Sequence, residues 1–215
     1  MVNSTLMVID PSITHPEIAS FNKIVRHCPF PCTYHLPAMS SMDSISRTLS
    51  NSCGLIILGS AASVHDQSDW QLKLGSILDK AIKFDLPILG ICFGHQFIAH
   101  QLGGKVEYLW KKDKKIGTRK VHVQSSSLIK SNKTYDLIYS HQEGVVMCPD
   151  DFYVSAYSEM VDIEAINHNS KAIWGFQAHV EASSSFAHRH GISDVVYNSV
   201  KEDGSSIMES FFDKI

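Results

Sequence analysis

Pro87-Ile88-Leu89-Gly90-Ile91-Cys92-Phe93-Gly94-His95-Gln96-Phe97-Ile98-Ala99-His100-Gln101-Leu102-Gly103-Gly104 is the stretch on which the reading of this chain turns. It opens with a short apolar run, Ile88-Leu89, that suits a buried strand. It closes with a helical pattern in which Phe97, Ile98 and Leu102 share one side and Gly103-Gly104 ends the helix. Between the two lies Cys92, bounded by Gly90 and Gly94. A strand, a sharp turn and a helix with a nucleophilic residue at the bend is the nucleophile-elbow arrangement, here with Cys in place of Ser. The glycines suit a turn so tight that a Cβ on either would clash. The helix N-terminus pointing at Cys92 favours thiolate, the attacking form. Taken alone, the segment fits a small buried hydrophobe beside turn glycines equally well.

Upstream, Thr5 to Asp10 reads as a buried strand ended by Asp10-Pro11. Ile18, Phe21, Ile24 and Val25 follow helical spacing between His15 and Arg26. The prolines from Pro29 to Pro37 leave room for only a short strand around Thr33 to Leu36. Ser41 to Ser50 suits a short helix with Ile45 and Leu49 inward. Gly54 to Gly59 is continuously apolar, as strands covered on both faces are. A polar loop, Ser60 to Asp69, leads into a helix from about Trp70 to Phe84 carrying Leu72, Leu74, Ile77, Leu78, Ala81 and Ile82. Strand and helix thus alternate four times up to the elbow. That argues a parallel α/β sheet with helices on both faces.

After Gly104 the pattern changes to short strand-like runs at Lys105 to Tyr108, Arg119 to Val123, Tyr135 to Ser140, Phe152 to Ser158, Ile163 to Asn167 and Ala172 to Gln177. From Ser183 on, the chain is polar and helical, with Val195, Val196, Val200, Ile207, Met208 and Phe211 facing in. No repeat, linker or second composition regime is visible, so residues 1–215 read as one domain.

Composition narrows the function classes. An apolar fraction of 44% and a charged fraction of 19% are those of an ordinary globular chain. The net charge of -3, with Lys111 to Lys115 as the only basic cluster, lacks the footprint of a nucleic-acid binder. No apolar run approaches the roughly 18 residues of a membrane span. The start, Met1-Val2-Asn3-Ser4, carries no basic-then-apolar leader. Five scattered cysteines, an odd number, suit reduced thiols in a cytoplasm. Cys28 and Cys32 lack a second ligand pair at zinc spacing, and no H-E-x-x-H occurs among the twelve histidines, so no metal site is expected.

An elbow cysteine needs a base, and the base an orienter. Gln177-Ala178-His179-Val180-Glu181 offers both. In an extended segment residues i and i+2 share a face, which would set His179 beside Glu181. Among twelve histidines, though, one near a Glu is expected by chance.

Together the elements are more specific. Gly90-Ile91-Cys92-Phe93-Gly94-His95-Gln96, Gly175 to Glu181, and Leu58-Gly59-Ser60-Ala61-Ala62-Ser63-Val64 resemble, in order and spacing, the class I (triad-type) glutamine amidotransferase family. The elbow is similar to those of the glutaminase parts of carbamoyl-phosphate and guanylate synthetases, and the likeness covers nearly the whole chain. The resemblance implies a flavodoxin-like three-layer sandwich with a largely parallel central sheet and a smaller antiparallel part. It implies Cys92 as the nucleophile that forms a γ-glutamyl thioester and releases ammonia. It implies His179 as base and acid, and Glu181 as the residue that sets its tautomer. The oxyanion would lie between the N–H of Phe93 and the Gly59-Ser60 loop. Gln96 would contact the substrate glutamine, and Ser140, His141 and Gln142 would belong to the loop holding its α-amino and α-carboxylate groups. No cofactor is implied. Ser60 and Ala61 depart from the family's G-G-P loop, and Ala178 and Val180 from its Q-F-H-P-E. Neither change touches the triad residues. His95, His100 and His141 read as structural or loop residues.

The chain has no G-x-x-x-x-G-K-[ST] loop and no S-G-G-x-D-S loop, so an ATP-using acceptor site is absent from the sequence. Three functions stay open. One is a glutaminase that passes ammonia to a separate synthetase subunit. The second is a γ-glutamyl hydrolase or peptidase using the same thioester. The third is a silent regulatory or binding protein, which the intact Cys92, His179 and Glu181 oppose.

Overall fold

The computed structural model describes residues 4–215; Met1 to Asn3, on which the reading of a missing leader partly rests, lie outside them. The first half alternates as expected: β1 (Thr5–Ile9), α1 (Ile18–His27), β2 (Cys32–His35), α2 (Asp43–Thr48), β3 (Ser52–Ile57), α3 (Asp69–Lys83), β4 (Ile88–Ile91) and α4 (Phe93–Gln101). The second half is mostly strand: β5 (Lys105–Tyr108), β6 (Lys115–Val123), β7 (Lys133–His141), β8 (Glu143–Met147), β9 (Phe152–Tyr157), β10 (Ala165–His168) and β11 (Ile173–Phe176). Two helices, α5 (Ser184–Arg189) and α6 (Asp194–Phe212), close the chain.

Nine strands form one mixed sheet in the order β2-β1-β3-β4-β11-β10-β9-β6-β7, and β5 and β8 pair separately. The pairings from β2 through β11 are parallel and those from β11 to β7 antiparallel. The expected α/β architecture, parallel in its centre with an antiparallel part, is thus present. β11 is the hinge between the halves. It pairs in parallel with β4, Phe176 opposite Ile91, so the chain leaves the sheet at Phe176 beside the elbow.

The inner parallel strands β1, β3, β4 and β11 are largely apolar because each contributes to two cores. Leu6, Val8, Ile56, Leu89 and Trp174 face the core closed by Ile24 of α1 and Ile207, Met208 and Phe211 of α6. Met7, Ile9, Leu55, Ile57, Ile88 and Ile173 face the other, closed by Ile45 of α2, Leu74 and Leu78 of α3, and Phe97 and Ile98 of α4. The period-two alternation assigns each strand residue to a layer.

Several expectations need correction. Val195 and Val196 do not face in: they are 81% and 37% exposed, while in the same turn Tyr197 packs against the cluster of Ile138 and Phe186; Val200, Ile207, Met208 and Phe211 are buried. Ile18, Val25 and Leu72 are likewise exposed, flanking narrower buried stripes on α1 and α3. β6 starts at Lys115 rather than Arg119, and β8 had no counterpart in the sequence reading. Among the described residues no helix is long and apolar enough to cross a membrane.

Candidate active site

Cys92 sits at the junction of β4 and α4 with φ 51° and ψ -102°, the left-handed side of backbone space, which non-glycine residues seldom occupy. Such a conformation costs about 1–3 kcal/mol and persists only where its surroundings hold it. Here both sides are held. The Cys92 N–H donates to Phe176 O of β11 at 2.8 Å, and Cys92 O accepts from Gln96 N at 3.0 Å. The neighbouring glycines have separate reasons. A Cβ on Gly94 would lie 2.1 Å from Ile57 O of β3, and one on Gly90 would lie 2.6 Å from the Gly94 backbone. Only glycine lets strand and helix close to this distance.

His179 and Glu181 meet beside the elbow, but not in an extended segment. Ala182 N donates to His179 O at 3.2 Å, so the pair spans a turn. That turn is tied down where Gln177 N donates to Glu164 O and His179 N donates to Ile138 O of β7, both at 2.8 Å. The second bond needs the antiparallel half to curl back over the ends of β4 and β11, since β7 is the far edge strand. His179 Nδ1 lies 2.9 Å from Glu181 Oε1. The carboxylate can only accept, so Nδ1 carries the proton and Nε2 is left as the second nitrogen. Phe186 of α5 packs on the imidazole, ring centroids 4.3 Å apart, and lies in turn against the tilted His190 ring at 4.4 Å.

Gly59 marks where the three loops converge. A Cβ there would lie 2.6 Å from His179 Cε1 and 3.5 Å from Cys92 Cβ. Burial acts to lower the His179 pKa, but the charges of Cys92 and Glu181 outweigh it and raise it to about 10. No aligned hydrogen bond joins Cys92 to His179 among the described residues, a looseness common before substrate binds. The site therefore assembles an elbow thiol, an imidazole and a buried carboxylate at one point.

A cleft of about 280 Å³ opens over this point, lined among others by Gly59, Ser60, Lys114, Ser140, His179 and Phe186. The Ser60 hydroxyl donates to Pro11 O at 2.7 Å and accepts from Ala62 N at 3.0 Å. The departure from glycine thus serves to brace the loop against the β1–α1 connection. No backbone hydrogen bond among the described residues occupies the N–H groups of Ser60 or Phe93.

The remaining expected residues lie around the same point, most of them buried. Gln96 Nε2 donates to Glu143 O at 2.7 Å and to Gln177 Oε1 at 3.0 Å, which leaves its Oε1 for any ligand. The Ser140 hydroxyl is paired with His190 Nδ1 at 3.1 Å. His141 is held between Glu143 O at 2.8 Å and Arg119 at 3.3 Å, and its pKa falls to about 4, chiefly through burial. Gln142 forms the bend between β7 and β8, its carbonyl accepting from Leu109 N. His95 lies under the elbow with none of its surface exposed and neither ring nitrogen in an aligned hydrogen bond.

Four contributors escaped the sequence reading: Phe186, His190, the buried Gln177 amide, and the ion pair of Arg119 with Glu164 at 2.7 Å behind His141. Of these only Gln177 stands in a spaced motif, Gln177 to Glu181, which gives its side chain no role. Among the described residues no group of three or more His, Cys, Asp or Glu could hold a metal ion.

Residues 18–198 match the family described as glutamine amidotransferase class-I. The chain belongs to that family. Among its relatives, one subunit of the glutamine-hydrolysing GMP synthase of Methanococcus aeolicus is 36% identical over 113 residues, 52% of this chain and 59% of that protein. The glutamine-hydrolysing GMP synthase of Aquifex aeolicus is 32% identical over 164 residues, 75% of this chain and 31% of that protein. The chain thus spans well under two thirds of the length of these curated relatives. A glutamine amidotransferase structure from Thermotoga maritima superposes with a TM-score of 0.79 over 99% of this chain and 97% of that one, at 17% identity, a likeness of fold.

Proposed function

We propose that this chain is a glutaminase of the amidotransferase type, releasing ammonia from the glutamine side chain through a γ-glutamyl thioester on Cys92. The observation that carries the reading is the convergence on Gly59 of a strained elbow cysteine and a histidine held by a buried carboxylate. In the proposed reaction the Cys92 sulfur attacks the amide carbon, and the oxyanion that forms takes the free N–H groups of Phe93 and Ser60. The C–N bond breaks as His179 gives its proton to the leaving nitrogen, and ammonia departs. Water then attacks the thioester carbon with His179 as base, releasing glutamate and returning the thiol. Glu181 keeps the imidazole in the tautomer these transfers need. Gln96 Oε1 and the Ser140–Gln142 bend supply polar atoms for the substrate's α-amino and α-carboxylate groups.

Liberated ammonia needs an acceptor, and the Methanococcus relative is one component of a GMP synthase. We therefore propose that the partner receiving the ammonia is a separate synthetase subunit. Ammonia release by the purified chain, with glutamine and a γ-glutamyl dipeptide offered in parallel and Cys92→Ala as control, tests the reading. Glutamine turnover abolished by the substitution supports it. Faster turnover of the dipeptide moves the chain to the γ-glutamyl hydrolases. Absence of turnover, together with no Cys92 labelling by a glutamine-analogue electrophile, overturns both.

A further inference from the structure

Gln177, at the exit of β11, has none of its surface exposed, and its side chain is one link in a file of buried amides. Gln96 Nε2 lies 2.7 Å from Glu143 O and 3.0 Å from Gln177 Oε1, and Gln177 Nε2 lies 3.6 Å from Cys92 Sγ. The two ends of an amide side chain have nearly the same shape, so their order must follow from their partners. Here one backbone atom decides it. Glu143 O can only accept, so the Gln96 atom facing it is nitrogen. That nitrogen's second hydrogen points at the nearer Gln177 atom, which must be the acceptor oxygen. Gln177 therefore turns its nitrogen, and an N–H, toward the sulfur. Reversing either amide would set donor against donor or acceptor against acceptor in a region without solvent, which is costly.

We infer that Gln177 is a positioning residue for the nucleophile, its Nε2–H donating to the Cys92 sulfur at the end of a relay whose polarity the Glu143 carbonyl sets. The elbow fixes the Cys92 backbone but not its side-chain torsion; a hydrogen-bond donor selects one rotamer, and in general binds a charged sulfur more strongly than a neutral one. Cys92 also interacts electrostatically with the His179 imidazole, which has Glu181 behind it, and more weakly with the buried Tyr139 phenol. The relay also ties β8 to the elbow, because its first carbonyl belongs to Glu143. The inference rests on Cys92 being the nucleophile.

The test follows Cys92 alkylation by iodoacetamide as a function of pH, with peptide masses separating Cys92 from the other four cysteines. Gln177→Glu keeps the shape and the bond from Gln96 but presents an oxygen to the sulfur; Gln177→Met removes the donor altogether. In both, the alkylation profile moves to higher pH and the rate on its lower limb falls roughly tenfold, the order associated with one hydrogen bond to a charged group. Glutamine turnover falls in kcat more than in KM. A second readout needs no variant to fold: in the wild type the Gln177 side-chain amide resonances move with the same midpoint as Cys92 reactivity, and this movement is absent in Cys92→Ala. An unchanged alkylation profile in folded Gln177→Met, or amide resonances that ignore the sulfur, overturns the relay while fast alkylation leaves the nucleophile standing. Wild-type Cys92 that reacts no faster than the other cysteines overturns both.

Discussion

Gly59→Ala separates the demands of the site from those of the fold. The Gly59 backbone is one that alanine can adopt, so the perturbation is purely one of space. The new methyl carbon would lie 2.6 Å from His179 Cε1, against an ordinary contact of at least 3.4 Å, and the ring must retreat by the missing 0.8 Å. Its retreat is opposed, since Nδ1 is bonded to Glu181 and the ring packs on Phe186. Displacing a catalytic group by about 1 Å costs on the order of 100-fold in rate, or about 2.7 kcal/mol of transition-state stabilisation. The packing strain itself costs about 1–3 kcal/mol of stability. Steady-state ammonia release from glutamine, read beside a thermal melt, should therefore show a large loss of kcat/KM in a protein that still unfolds cooperatively. Gly94→Ala is the contrast. Its Cβ meets Ile57 O at 2.1 Å, backbone against backbone, and no side chain can yield. That variant should lose the α4–β3 contact and fail to fold. Wild-type activity in a normally melting Gly59→Ala protein would refute the convergence of Cys92, His179 and Gly59 on which the proposed function stands.

Three further outcomes follow from the buried charges. His179 has a folded pKa raised to about 10, above the ordinary 6.5, so its contribution to stability is fully present below about 6.5 and is lost as pH rises through about 10. Cys92→Ala should bring the His179 ring titration down and flatten the alkaline limb of stability measured by denaturant melts; an unchanged midpoint would sink the coupling. His95 has the opposite sign. Burial first, then His141, lowers its folded pKa to about 3 against a weaker opposing effect of the Gly175 backbone, so stability falls as pH drops from about 6.5 toward 3. His95→Leu should make the acid limb shallower, although His141 and His190, both lowered to about 4, keep part of it. Arg119→Met takes the cation from the Glu164 carboxylate, whose side chain is 0% exposed and keeps the Ser158 hydroxyl as a donor, and should cost about 3–5 kcal/mol in a urea melt. Adding Glu164→Gln to it should recover part of that loss.

The parallel half of the fold was legible because its strands are buried on both faces, which forces continuous apolar runs such as Leu55-Ile56-Ile57-Leu58. The elbow was legible for a related reason. Strand, turn and helix must approach until Gly94 touches Ile57, and only a short list of residues permits that. β8 was hidden because Gln142 alone separates it from β7, and the nearby glycine, Gly144, lies inside β8 rather than at the break. His179 and Glu181 were found through a geometry the chain does not use: their spacing suits a strand, yet they meet across a turn held by Ile138 O.

His190 and Arg119 belong to no local pattern, and the motif that contains Gln177 does not say what its side chain meets. Each takes its meaning from a partner in another strand, loop or helix, brought close by the curl of the antiparallel half. Most strands of that half were legible; β8 was not, since the polar Ser140, His141 and Glu143 interrupt the apolar alternation where β7 passes into β8. In the folded protein these residues lie behind or beside the elbow, paired with one another and with its helix. A sheet region that must supply buried hydrogen-bond partners around the elbow cannot also present a clean apolar face. The β7–β8 break that the sequence hides and the place of its residues around Cys92 therefore have one physical cause.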